Sequence, residues 1–86
     1  MAGPNWLPYG EALRYPTWQA GKTTRLSVQN ADPRWPGKVH VSSPASFESE
    51  DVVVLGNTTT SIDRDWAGMY IDVRNTGGPD LTVWTE

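Results

Sequence analysis

The chain has 86 residues, no cysteine and a formal net charge of −3. That length holds one domain with a small core, and the missing cysteines exclude disulfides and thiolate metal sites. Seven Lys and Arg residues are scattered singly, which argues against a nucleic-acid surface, and the longest aliphatic run, Val52 to Leu55, is far too short to span a bilayer.

The opening, MAGPNWLPYG, has neither the cationic start nor the apolar run of a signal peptide. Together with the absence of cysteine this favours an intracellular assembly or a virion as the setting. Pro4, Pro8 and Pro16 break any long helix. Residues 1–17 therefore read as an extended arm carrying Trp6, Tyr9 and Tyr15, ahead of a single β-sandwich domain over 18–86. The arm either wraps its own domain or grips a neighbouring subunit.

From Thr23 to Asn30 the chain alternates, with Leu26 and Val28 pointing in. A stiff loop follows, in which Pro33 and Pro36 hold Trp35 at the surface. Lys38 to Ser43 is the next strand, with Val39 and Val41 inward and His40 outward; Phe47 follows a turn and tucks under. The β-branched run Val52 to Leu55 predicts a strand covered on both faces, or one at a subunit contact. Gly56-Asn57 turns into a Thr-rich strand from Thr58 to Ile62. The clearest pattern is the last: Met69, Ile71 and Val73 alternate with Tyr70, Asp72 and Arg74, and Leu81 and Val83 with Thr82 and Trp84. A five-residue turn between them predicts a β-hairpin that pairs Val73 with Leu81, Ile71 with Val83 and Tyr70 with Trp84. Short strands separated by Gly, Pro, Asn and Asp turns define the class: all-β, a small antiparallel sandwich or barrel of about six or seven strands with an N-terminal arm. A faint echo runs through it: Trp18…Gly21…Val28-x-Asn30 resembles Trp66…Gly68…Val73-x-Asn75, although the unequal spacing does not define a repeat.

No residue pattern calls for an enzyme or a cofactor. His40 is the single histidine, and joining it to Ser42 or Ser43 and an Asp needs placement that spacing does not supply. Calcium is conceivable at Asp63 and Asp65, or at Glu48, Glu50 and Asp51. The duller reading is solvated loop charge, with Arg64 pairing one of its flanking aspartates. Asn57-Thr58-Thr59 fits a glycosylation sequon, which without a signal peptide reads as a turn into a strand.

Five Trp and three Tyr in so short a chain are the best functional clue. Some must fill the core, with Trp18 and Trp66 at its ends; the rest are available for binding. The candidate binding set is Trp6, Tyr9, Tyr15, Trp35, Tyr70, Asp72, Arg74 and Trp84. The first reading is a non-catalytic structural protein, a homo-oligomer or a subunit of a larger shell, held to protein neighbours by its arm and exposed rings. In size, arm and class it is similar to the small β-sandwich proteins that decorate or cement viral and phage shells. The alternative is a carbohydrate-binding module or small lectin that stacks sugars on Trp35, or on a Tyr70/Trp84 platform flanked by Asp72 and Arg74.

Overall fold

The computed structural model describes residues 2–44 and 48–86, so the expected placement of Phe47 lies outside the described residues. The fold is all-β. Eight strands follow in order: β1 (Ala2–Leu7), β2 (Ala12–Tyr15), β3 (Thr24–Asn30), β4 (Gly37–Ser43), β5 (Glu48–Val54), β6 (Thr58–Arg64), β7 (Ile71–Asn75) and β8 (Leu81–Thr85). They form two four-stranded antiparallel sheets, ordered β1-β8-β3-β6 and β2-β7-β4-β5. Each strand of the first half pairs with its counterpart counted back from the end: β1 with β8, β2 with β7, β3 with β6 and β4 with β5. The arrangement is that of a long double-stranded ribbon folded over on itself, a jelly roll.

Alternation sets the inward faces. Leu26, Val28, Val39, Val41, Ile71, Val73, Leu81 and Val83 are all essentially sealed, joined by Leu7, Val52 and Val54. Trp66 and Tyr15 complete the core, and Trp18 lies half-buried with the Lys22 ammonium 3.8 Å above its ring.

Two expectations are corrected. The first is the closing hairpin. β7 and β8 lie in opposite sheets: Val73 pairs with Leu13 and Val41, and Val83 with Asn5 and Val28. The five residues between them cross from one sheet to the other. Inward alternation looks the same in either case, because both sheets point their apolar faces into one shared interior. The second is the arm. Residues expected to be irregular supply β1 and β2, one at an edge of each sheet, with Leu7 and Tyr15 in the core. Edge strands tolerate the missing N–H of a proline, and Pro4 sits where β1 bulges between Ala2 and Asn5.

The strand order also carries an internal symmetry. Advancing every strand by four turns β1-β8-β3-β6 into β5-β4-β7-β2, the second sheet read backwards. The echo seen in the sequence falls on this relation, with Asn30 ending β3 and Asn75 ending β7. Both asparagines are fully buried. The Asn30 Oδ1 accepts the Asp32 N–H at 3.0 Å, while Nδ2 donates to the carbonyls of Trp35 (2.7 Å) and Val54 (3.2 Å). The Asn75 Oδ1 accepts the Gly77 N–H at 3.1 Å, while Nδ2 donates to Pro79 (2.8 Å) and Leu7 (3.0 Å). Each amide thus closes its own loop and ties it to the end of the strand related to the other by the same four-strand shift.

Candidate functional site

All loops leading from an odd to an even strand gather at one end of the sandwich, and the two asparagines shape the middle pair. Asn30 fixes the loop that presents Trp35; Asn75 fixes the loop Thr76 to Asp80. Between them lies an open groove of about 670 Å³. Trp35 and Pro36 form one wall, Gly77, Gly78 and Pro79 the other, and Lys38 and Val53 the floor. Gly77 is required there by packing: a Cβ would come 2.5 Å from the Lys38 nitrogen. The flanking loops are tied in by backbone contacts. The Asn57 N–H donates to the Asp32 carbonyl at 3.2 Å, and the Tyr9 N–H to the Asp80 carboxylate at 3.3 Å.

The surface of this end is apolar. Six large hydrophobic side chains are exposed among the described residues, and four of them, Tyr9, Trp35, Val53 and Leu55, belong to it. Val53 is 55% exposed and Leu55 64%, so of the two expectations for this run, coverage on both faces or a place at a subunit contact, the first is not met: this chain covers one face only. These two residues are missing from the sequence-based set, although the unbroken run Val52 to Leu55 was their signal. Two charged residues, Asp32 and Lys38, also line the groove. Asp32 is held below the usual carboxylate range, chiefly by the Arg34 N–H at 2.8 Å, and Lys38 Nζ lies 3.7 Å from Asp51.

The other candidates are dispersed. Tyr15 is only 4% exposed; its hydroxyl donates to the Asn5 side chain (3.0 Å) or the Val83 carbonyl (3.2 Å), and burial pushes the phenol up to about 12. It is a core residue, unavailable to a ligand. Tyr70 is exposed beyond the opposite end of β7. Asp72 and Arg74 stand on the outer face of the second sheet, where Arg14 grips Asp72 at 2.8 Å and Arg74 donates to the Gly10 carbonyl. Trp84 lies on the first sheet, so the Tyr70/Trp84 platform does not form; the hairpin that would have joined them is the sheet crossing. Trp6, on β1, is 67% exposed.

The acidic clusters resolve into separate pairs. Asp63 binds Arg25 at 2.9 Å, Asp51 lies 2.9 Å from His40 Nδ1, and Asp65 accepts the N–H groups of Gly21 and Ala67. Arg64 pairs not with its neighbouring aspartates but with Glu50 at 2.9 Å, joining the edge of one sheet to the edge of the other. Among the described residues no three His, Asp or Glu side chains gather to hold a metal. Ser43 is turned into the interior, and the His40–Asp51 pair stands exposed on the outer face of its sheet.

Fold and site together define a small eight-stranded jelly roll with an apolar, loop-built end. The chain belongs to a family of unknown function (DUF8244), whose model matches residues 8–86, from the loop after β1 to the last residue. It is similar to an uncharacterized protein of Dictyostelium discoideum, 34% identical over 86 residues that cover 99% of each chain. No solved structure matches it.

Proposed function

We propose that the protein is a non-catalytic structural subunit, held to further copies of itself through the apolar end. The observation that carries this reading is the concentration of the exposed Tyr9, Trp35, Val53 and Leu55 at one end of the sandwich. Contiguous exposed apolar area of this kind marks an interface, and Trp and Tyr are the residues on which interface energy concentrates.

Area decides how far the contact extends. A standard interface takes about 800 Å² from each partner. The molecule is 38 × 20 × 17 Å, so its flat end offers roughly 340 Å², too little alone. The contact therefore continues along β5, the edge strand that carries Val53. That strand is divided to suit. Its first half carries Glu48, Glu50 and Asp51, with Glu50 tied to Arg64 of β6, while the half from Val52 onward, leading to Leu55, carries no charge.

Sedimentation of the wild-type chain should show a discrete oligomer at micromolar concentration. Trp35→Ala should weaken it by roughly 2 kcal/mol, about thirtyfold, and Val53→Asp should yield monomers, both without loss of the sheet signal in circular dichroism. A wild-type chain that stays monomeric up to roughly 100 μM, a concentration at which even weak specific pairs associate, would reject the reading.

A further inference from the structure

The two outer faces of the sandwich differ in chemistry. The second sheet presents ions: Arg14 with Asp72, Asp51 with His40 and Lys38, and Arg74. The centre of the first sheet presents none. One row across β1, β8, β3 and β6 reads Trp6, Thr82, Gln29, Thr59; the next, across β8, β3 and β6, reads Trp84, Ser27, Ser61, in which Trp84 is half-buried and Ser27 is buried and bonded to the Ser61 hydroxyl at 2.8 Å. Where β1 should cover Trp84, the strand bulges. Gly3, at φ +88°, lies so close that a Cβ would sit 2.8 Å from the Val83 carbonyl and 3.0 Å from the Trp84 Cβ. No side chain at residue 3 shields the indole, and beside it opens a hollow of about 440 Å³ bounded by Pro4, Gln29, Thr82 and Glu86. The Trp84 Nε1–H donates to the Glu86 carboxylate at 3.3 Å, which fixes the ring's edge. Trp6 lies on the diagonal in the neighbouring strand, a spacing of about 7–8 Å between backbones.

We propose that this face binds a neutral polysaccharide. A sugar ring offers C–H groups that stack on an indole and hydroxyls that need both donors and acceptors beside it. Trp84 and Trp6 supply two rings on neighbouring strands of one face. Gln29 and Thr82 supply donors and acceptors, and Glu86 an acceptor for paired hydroxyls. The charges argue against other ligands. Among the described residues the guanidinium beside Glu86, that of Arg25, is closed on Asp63 at 2.9 Å, so it is not held open for a phosphate, a sulfate or a nucleic-acid backbone. The site shares no residue with the Trp35 end and stands independently of the assembly reading.

The test is affinity electrophoresis of the full chain through gels containing soluble xylan, glucomannan, hydroxyethyl cellulose or laminarin, with pull-downs on cellulose and chitin. At least one of these should retard or capture the wild type. Trp6→Ala and Gln29→Ala should each weaken that binding about tenfold or more with an unchanged melting point, since both side chains are exposed. Trp35→Ala should retain it even where self-association is lost. Failure of every polysaccharide to bind overturns the proposal. So does retention that survives both substitutions, or binding of poly-L-proline in place of any glycan.

Discussion

Replacing Asn30 by Ala removes a side chain that makes three hydrogen bonds from a position with no solvent exposure. The cost follows from what is left behind. The Val54 carbonyl loses its side-chain donor in a buried setting, which costs about 1–3 kcal/mol. The Trp35 carbonyl and the Asp32 N–H lie nearer water and rehydrate, so each loses only the net value of a hydrogen bond, about 0.5–1.5 kcal/mol. The sum centres on roughly 4 kcal/mol, or a fall in melting temperature of about 16–32 °C for a domain this small. Asn75→Ala should match it, because its amide makes the same three contacts with Leu7, Pro79 and Gly77. Asn30→Asp separates hydrogen bonding from packing. The carboxylate keeps the acceptor for the Asp32 N–H but sets oxygen against two carbonyls, so the folded state holds its proton more tightly than the unfolded chain does. The variant should be least stable at neutral pH and regain stability as the pH falls toward about 4, where the unfolded carboxyl also takes up its proton. Urea titrations followed by circular dichroism measure all of this. A loss below about 1 kcal/mol for Asn30→Ala, within the scatter of ordinary substitutions, or a neutral-pH Asp variant as stable as wild type, would refute the assignment of these amides as the ties of the two loops.

Two pH limbs follow from the remaining side chains. Asp51, Asp63 and Asp72 are held below the ordinary carboxylate range, chiefly by hydrogen bonds from His40, Arg25 and Arg14 respectively; their stabilisation is present above the unfolded value of about 3.9 and is lost as the pH falls below it. Melting temperatures from neutral to strongly acid solution should show that decline, flattened by added salt because the pairs are exposed; an acid limb absent at low salt would contradict it. On the alkaline side the Tyr15 phenol is pushed up to about 12 by burial, so its contribution is whole below the unfolded value of about 10 and disappears as the pH rises through the folded one. Tyrosinate absorbance should show one of the three tyrosines ionising last, and Tyr15→Phe should remove that late step.

What was legible in the sequence was what a single strand determines by itself. Leu26 and Val28, Val39 and Val41, Ile71 and Val73, and Leu81 and Val83 were readable as inward because period two is local, and all eight are sealed. Strand partners were not readable, because facing sheets share one interior and impose the same alternation on a hairpin and on a crossing. The first seventeen residues hid two strands behind prolines, which is the composition edge strands accept and central strands refuse. The neighbourhood of Trp6 and Trp84 depends on pairing between the two ends of the chain, and no window of sequence contains it. Val53 and Leu55 were visible as apolar, but only the β4–β5 register shows that Val53 stands outside beside Lys38.

The internal symmetry explains why the groove is where it is. The loops after β3 and β7 are related by the four-strand shift and tied by the same asparagine device, so on symmetry alone they would be two copies of one wall. The sequence breaks that relation at the residues the amides hold. The Asn30 amide ends on Trp35, in a loop stiffened by Pro33 and Pro36; the Asn75 amide ends on Pro79, after Gly77 and Gly78. One loop therefore projects an indole 62% exposed, and the other, lacking side chains at its two glycines, lies down against Lys38. The hollow between them is the difference between a loop with a ring and a loop without one. Symmetry supplies the rigid frame, and the departure from it supplies the surface that a second molecule can grip.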